Sequence, residues 1–205
     1  MAMTIFYVLH DKLYANITNK CSCSCVFCLR QSGDSVGDAD SLWLEREPGL
    51  TEIKAAFDAA NLDGMTEIVF CGYGEPTERA RDVIEISKYI RSKCKLPLRI
   101  NTNGLVKLID PGFDMRELAA VDSVSISLNA ENAEEYLRIT RPGFGEGSFE
   151  AMLDFAREAK NYTGACFTVV DVLEPSRIEK CRRIAEDAGV PLKVLHLVTV
   201  NAEHD

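Results

Sequence analysis

The sequence has no long apolar run: nothing in its 205 residues approaches the roughly 18 consecutive apolar positions of a membrane-spanning helix. The opening residues carry no signal-peptide pattern, so the expectation is a cytoplasmic protein. Nor is there a basic stripe. The net charge of −9 argues against binding a nucleic-acid backbone, where clustered Lys and Arg must neutralise phosphates. No repeat, low-complexity tract or linker divides the chain, so one domain over 1–205 is expected. What the sequence does have is 46% apolar and 27% charged residues, as in soluble globular proteins, enough for a core of ordinary size. Eight cysteines without a secretory signal point to metal or redox use, not to a disulfide framework.

Four of those cysteines lie in Asn16-Ile17-Thr18-Asn19-Lys20-Cys21-Ser22-Cys23-Ser24-Cys25-Val26-Phe27-Cys28, where a short strand runs into a loop over 19–34. Read as ligands, Cys21, Cys25 and Cys28 have C-x3-C-x2-C spacing. Three thiolates on one loop can wrap three corners of a cubane iron–sulfur cluster and leave the fourth iron open. Zinc is the rival, with Cys23 as a fourth ligand, although cysteines at every second position do not form a C-x2-C knuckle and no second cysteine pair follows. A purely apolar role for these thiols fits poorly with the serines between them and with Lys20 and Arg30 at the flanks.

Period-two alternation predicts strands at 13–18, 66–70, 96–102, 123–128, 165–170 and 191–200, with helices between most of them. Thr51, Thr77 and Ser148 are expected N-caps, and Ser176 with Glu179 a capping box. The segment 31–49 reads as a long loop pinned by Trp43, able to cover a site. Strands alternating with helices require a parallel sheet with right-handed crossovers, and the chain is too short for an eight-stranded barrel. The fold class is therefore α/β: a six-stranded parallel partial (β/α)6 TIM-like barrel, with its site at the C-terminal ends of the strands.

Two constellations fall at those ends. After the second predicted strand, Gly72-Tyr73-Gly74-Glu75-Pro76 puts glycines where backbone must come close to a ligand, and strand-end carbonyls there can accept from an ammonium. On later strands, pleat alternation sets Arg99, Asn101 and Asn103, and likewise Ser125, Ser127 and Asn129, on faces opposite their apolar neighbours. These polar faces are expected to line the interior, which then needs water or a polar ligand. His10 and His196 show no partner. Cys71, at a strand end, is a thiol able to donate or lose a hydrogen atom.

The cysteine spacing with aromatic Phe27 before the last Cys, the Gly74-Glu75-Pro76 segment, Asn101-Thr102-Asn103-Gly104 and Ser125-Ile126-Ser127-Leu128-Asn129, in that order, resemble the radical S-adenosylmethionine (radical SAM) superfamily. Tyr73 departs from the family's Gly-Gly-Glu-Pro. The resemblance implies a radical SAM core holding a [4Fe-4S] cluster through Cys21, Cys25 and Cys28, with SAM on the open iron. One electron, from a flavodoxin- or ferredoxin-type donor, then yields methionine and a 5′-deoxyadenosyl radical. It also implies Gly72, Gly74 and Glu75 around the SAM amino group, Asn101 and Ser127 at its ribose and carboxylate with Asn103 and Asn129 beside them, and Phe27 near its adenine. Arg141, in the run Glu134 to Pro142, is a candidate partner for a carboxylate. Longer segments, among them Tyr7 to Tyr14 and Phe70 to Glu78, are similar to the small TatD-associated branch of the superfamily. So short a chain leaves the barrel mouth open, and a macromolecular substrate or partner protein is expected to cover it.

Overall fold

The computed structural model describes residues 3–31, 33–37, 39–171 and 173–196. A single sheet runs in the order β1 (Phe6–Leu9), β2 (Lys12–Ala15), β3 (Glu67–Phe70), β4 (Leu98–Thr102), β5 (Ser123–Ser127), β6 (Gly164–Val170) and β7 (Leu192–Leu195). β2 to β7 are the six parallel strands that the alternation predicts, in a partial barrel. The seventh strand is additional: β1 pairs antiparallel with β2, Tyr7 facing Tyr14. Its tight turn sets His10 at φ 55, a left-handed conformation in which His is enriched among non-glycine residues.

The helices are α1 (Leu50–Asp58), α2 (Ala80–Lys93), α3 (Val106–Ile109), α4 (Ala133–Thr140), α5 (Ser148–Ala159) and α6 (Pro175–Ala188). Val83, Ile86 and Ile90 of α2 and Met152, Phe155 and Ala156 of α5 form one buried core with Ile68, Ile100, Val124 and Ile126 of the sheet. Each large aliphatic residue buried there contributes about 1.5–3 kcal/mol. With the apolar rows taken up by this core, Arg99, Asn101 and Ser125 line the barrel interior.

Several helix starts differ from the sequence reading. α1 opens at Leu50 behind Gly49, α5 behind Gly147, and α6 behind Glu174, none with a side-chain cap. Pro175 at the first turn of α6 supplies a fixed φ, so the helix begins ahead of the Ser176–Glu179 box. Thr77 is not a cap. Instead Glu75 caps a 3-10 turn over Pro76–Arg79 by accepting from the Thr77 N–H. The last strand is described over Leu192–Leu195, and predicted positions 197–200 lie outside the described residues. The 33–44 loop packs on a second small core of Tyr7, Val36, Leu42 and Tyr73. Its anchor is Leu42, 1% exposed, whereas Trp43 is 40% exposed.

Candidate metal and cofactor site

At the C-terminal ends of the strands lies a cavity of about 410 Å³, within the roughly 300–1,000 Å³ of ligand sites. Cys21, Cys25, Cys28, Phe27, Gly72, Gly74, Glu75, Asn101, Asn103, Ser127 and Asn129 all line it. Residues from four separate stretches of chain thus meet at one place. Arg141 does not line it. That residue is exposed and caps α4 in the left-handed conformation, φ 46, which turns the chain toward the cysteine loop.

The cysteine loop is held on three sides. Ser24 N–H donates to Thr140 O at 2.9 Å, Val26 N–H to Ile139 O at 2.9 Å, and Gly143 N–H to Ser22 O at 2.7 Å, which staples the loop to the end of α4. From β4, the Asn103 side-chain amide donates to Ser22 Oγ at 3.2 Å and meets Cys23 Sγ at 3.6 Å. From the turn after β3, Glu75 N–H donates to Lys20 O at 2.8 Å.

Glu75 and Asn103 are both committed to this scaffold. The Glu75 carboxylate accepts from Thr77 N and Oγ1, Thr102 Oγ1 and Asn103 N at 2.6–3.0 Å. Burial pushes its pKa up, and these four donors oppose that. Asn103 Oδ1 accepts from Leu105 N at 3.0 Å. Asn101 accepts from Arg99 Nη1 and bonds the Cys71 thiol. By contrast, the side chains of Ser127 and Asn129 make no hydrogen bond with the described residues.

The glycines do something the sequence reading did not foresee. A Cβ at Gly72 would lie 2.1 Å from Asn16 Oδ1, and one at Gly74 would lie 2.3 Å from Thr18 O and 2.6 Å from Lys20 O. Their close approach is to the segment feeding the cysteine loop. Asn16, which sequence reasoning missed as a site residue, is the hub: fully buried, it donates to Thr4 O and Leu42 O and accepts from Tyr73 N. The carbonyls of Gly72, Tyr73 and Gly74 accept nothing from the described residues. Tyr73 closes the site from the side, its OH on Gly33 O at 2.6 Å and its ring 5.1 Å from that of Trp43. His196, without a visible partner in the sequence, bonds Asp171 at 2.6 Å and lines the cavity.

The donor set fits an iron–sulfur cluster. The Cys23 thiol bonds both neighbours, which holds the Cys21 and Cys25 thiols below their ordinary pKa, while those bonds and burial push Cys23 itself up. Cys28 Sγ accepts from Arg30 Nε at 3.3 Å. Among the described residues no three His, Cys, Asp or Glu side chains converge on a single metal ion. Beside the thiols, Tyr136 is fully buried and lines the cavity with its hydroxyl unpartnered. Thr140 next to it spends its own proton on Tyr136 O at 2.8 Å.

The sequence model described as the Radical SAM superfamily matches residues 15–188. A GTP 3′,8-cyclase of Lactiplantibacillus plantarum is 33% identical over 138 residues, 66% of this chain and 38% of that protein. A probable GTP 3′,8-cyclase of Methanocaldococcus jannaschii is 27% identical over 200 residues, 93% and 60% of the two chains. This chain therefore spans less than two thirds of the length of these relatives. Among solved structures, TYW1 with a lysine-pyruvate adduct bound superposes at TM-score 0.59 and 19% identity, over 91% of this chain and 65% of that one. Native anSMEcpe with bound AdoMet gives 0.58 and 17%, over 94% and 52%. These two show a shared fold. Because the family match runs from the cysteine loop's own strand through α6, the chain belongs to the radical SAM superfamily, whose enzymes use a [4Fe-4S] cluster and SAM.

Proposed function

We propose that Cys21, Cys25 and Cys28 hold three irons of a [4Fe-4S] cluster, that SAM occupies the rest of the cavity, and that the chain is a radical SAM enzyme. The observation that carries this reading is the convergence of the three thiols and the unengaged strand-end groups on one cavity. The free carbonyls at Gly72, Tyr73 and Gly74 suit an ammonium, as three acceptors with no protein donor. Ser127 and Asn129 offer the remaining polar contacts, and the Phe27 ring offers an apolar face. Glu75, Asn101 and Asn103 act behind them, fixing the loop and the strand ends. With both groups bound, they supply reductive cleavage of the sulfonium to methionine and a 5′-deoxyadenosyl radical.

The substrate on which that radical acts is not carried over from the relatives, since the chain spans only 38% and 60% of their lengths. The TatD-associated branch that the sequence resembles names no reaction either. A flavodoxin- or ferredoxin-type donor and a partner over the barrel mouth remain part of the proposal. Anaerobic reconstitution tests it: about four irons and four sulfides per chain, and 5′-deoxyadenosine after SAM and dithionite. Substituting Cys21, Cys25 or Cys28 by Ala should abolish iron binding, while Cys23→Ala keeps it. Retention of the cluster in Cys28→Ala and its loss in Cys23→Ala would show that the triad is misassigned. Adding GTP to the same assay tests whether this chain shares the reaction for which its relatives are named.

A further inference from the structure

Toward the N-terminal ends of the strands, the barrel interior opens into a second cavity of about 320 Å³. It shares Asn101, Ser127, Thr168 and Leu195 with the cofactor cavity, so the two adjoin across these side chains. At about 3.3 Å per strand residue, Arg99 lies roughly 13 Å along β4 from Asn103. The two ends differ in charge. Among the described residues the cofactor cavity is lined by no Lys or Arg, and Glu75, its carboxylate, is already satisfied. The floor is lined by Lys12, Arg99 and Lys193 against one carboxylate, Glu67, in a chain whose net charge is −9.

One carboxylate offsets only part of this charge. Glu67 grips Arg99 through two bonds of 2.9 Å and Lys12 at 3.2 Å, and Asn101 takes a further Arg99 donor, so the guanidinium is fixed in place. Lys193 has no carboxylate partner among the described residues. The Ser123 and Ser127 hydroxyls bond none of the described residues, and that of Ser125 meets only Cys166 Sγ at 3.6 Å. Lys193 is exposed and Lys12 half-buried; it is the Ser123, Ser125 and Ser127 hydroxyls beside them, buried or half-buried, that ask for an acceptor.

We propose that the barrel floor is an oxyanion subsite for the substrate: Lys12, Arg99 and Lys193, with the Ser123 and Ser125 hydroxyls of β5, take a carboxylate or phosphate group. The rest of the substrate extends past Asn101 and Ser127 toward the cofactor end. This rests on the function proposed above and adds a substrate class, an elongated anion whose charged group lies at the opposite end of the barrel interior from its reacting carbon.

The test is calorimetric titration of the cluster-loaded chain with inorganic phosphate and, separately, acetate. The expected result is saturable binding of one anion per chain, weakened about tenfold or more in Lys193→Gln and in Lys12→Gln and unchanged in Lys88→Gln, a surface control. Tighter phosphate indicates a phosphorylated substrate, tighter acetate a carboxylate. Absence of saturable binding of both anions, or equal binding in all three variants, overturns the subsite. Iron, sulfide and 5′-deoxyadenosine are read without either anion, so failure of the function and failure of the subsite register separately.

Discussion

Replacing Gly74 by Ala separates two explanations of the glycines at the end of β3. A Cβ there would stand 2.3 Å from Thr18 O, whereas real Cβ contacts essentially never fall below 3.0 Å, so one backbone must retreat by at least the 0.7 Å difference. Neither neighbour is a flexible tip: Thr18 O and Lys20 O are main-chain atoms, and Lys20 O receives Glu75 N–H at 2.8 Å. Overpacking costs about 1–3 kcal/mol. Breaking the Glu75–Lys20 bond beside the buried carboxylate adds about 1–3 kcal/mol. The total, roughly 2–6 kcal/mol, is a large part of the about 5–15 kcal/mol that holds a domain folded. At about 2–4 °C per kcal/mol for this size, Tm should fall by roughly 10 °C. The assay is thermal unfolding by circular dichroism of the cluster-free chain, anaerobic and reduced. Gly112→Ala, whose Cβ meets only side-chain atoms at 3.4 and 3.5 Å, is the control and should move Tm by less than about 2 °C. If Gly74→Ala melts with the control and loses only SAM binding, the glycine serves the ligand and the packing argument is wrong.

Tyr136→Phe removes a buried hydroxyl with no partner, so it should stabilise the cluster-free chain by about 1 kcal/mol in urea unfolding; a destabilisation would mean that the hydroxyl is satisfied in solution. Tyr73→Phe deletes the bond to Gly33 O at 2.6 Å and should speed amide exchange in the 33–44 loop by about tenfold while leaving β3 unchanged, and equal protection would remove Tyr73 as its latch. Burial raises the Glu67 pKa, but Arg99 and Lys12 outweigh that and hold it below the usual carboxylate range. Its depressed pKa gives stability that is present above the unfolded value and lost as pH falls through the folded one. Glu67→Gln should therefore flatten the acid limb of a urea-unfolding profile below about pH 4.5, and an unchanged limb would refute the assignment.

Much of this architecture is readable from local pattern. Period-two alternation in Leu98–Thr102 and Ser123–Ser127 names the inward and outward rows because sheet faces alternate strictly along each strand. The cysteine spacing is equally local. What escaped is non-local or competitive. β1 is four residues long and its turn, His10-Asp11, lacks the Asn-Gly type of signal. Asn16 makes its contact with Tyr73 57 residues away, which nothing in its own neighbourhood announces. Ser148 looked like a cap, yet Gly147 is already helical at φ −70, so the hydroxyl falls inside the helix and finds no partner. The family segment around Glu75 suggests a ligand contact, while two of the four donors around it come from Thr102 and Asn103 at the end of β4, 27 and 28 residues on.

The antiparallel β1 has an architectural consequence. Because it occupies the free side of β2, a parallel strand cannot be added there to complete a ring. Among the described residues the two outer edges are β1 itself, with Val8 47% exposed, and β7, where Val194 and Leu195 are 39% and 45% exposed. A ring closed from that side would have to meet β1, which runs the opposite way and is only four residues long. The hairpin thus keeps this sheet from becoming an all-parallel ring, whatever is added to it.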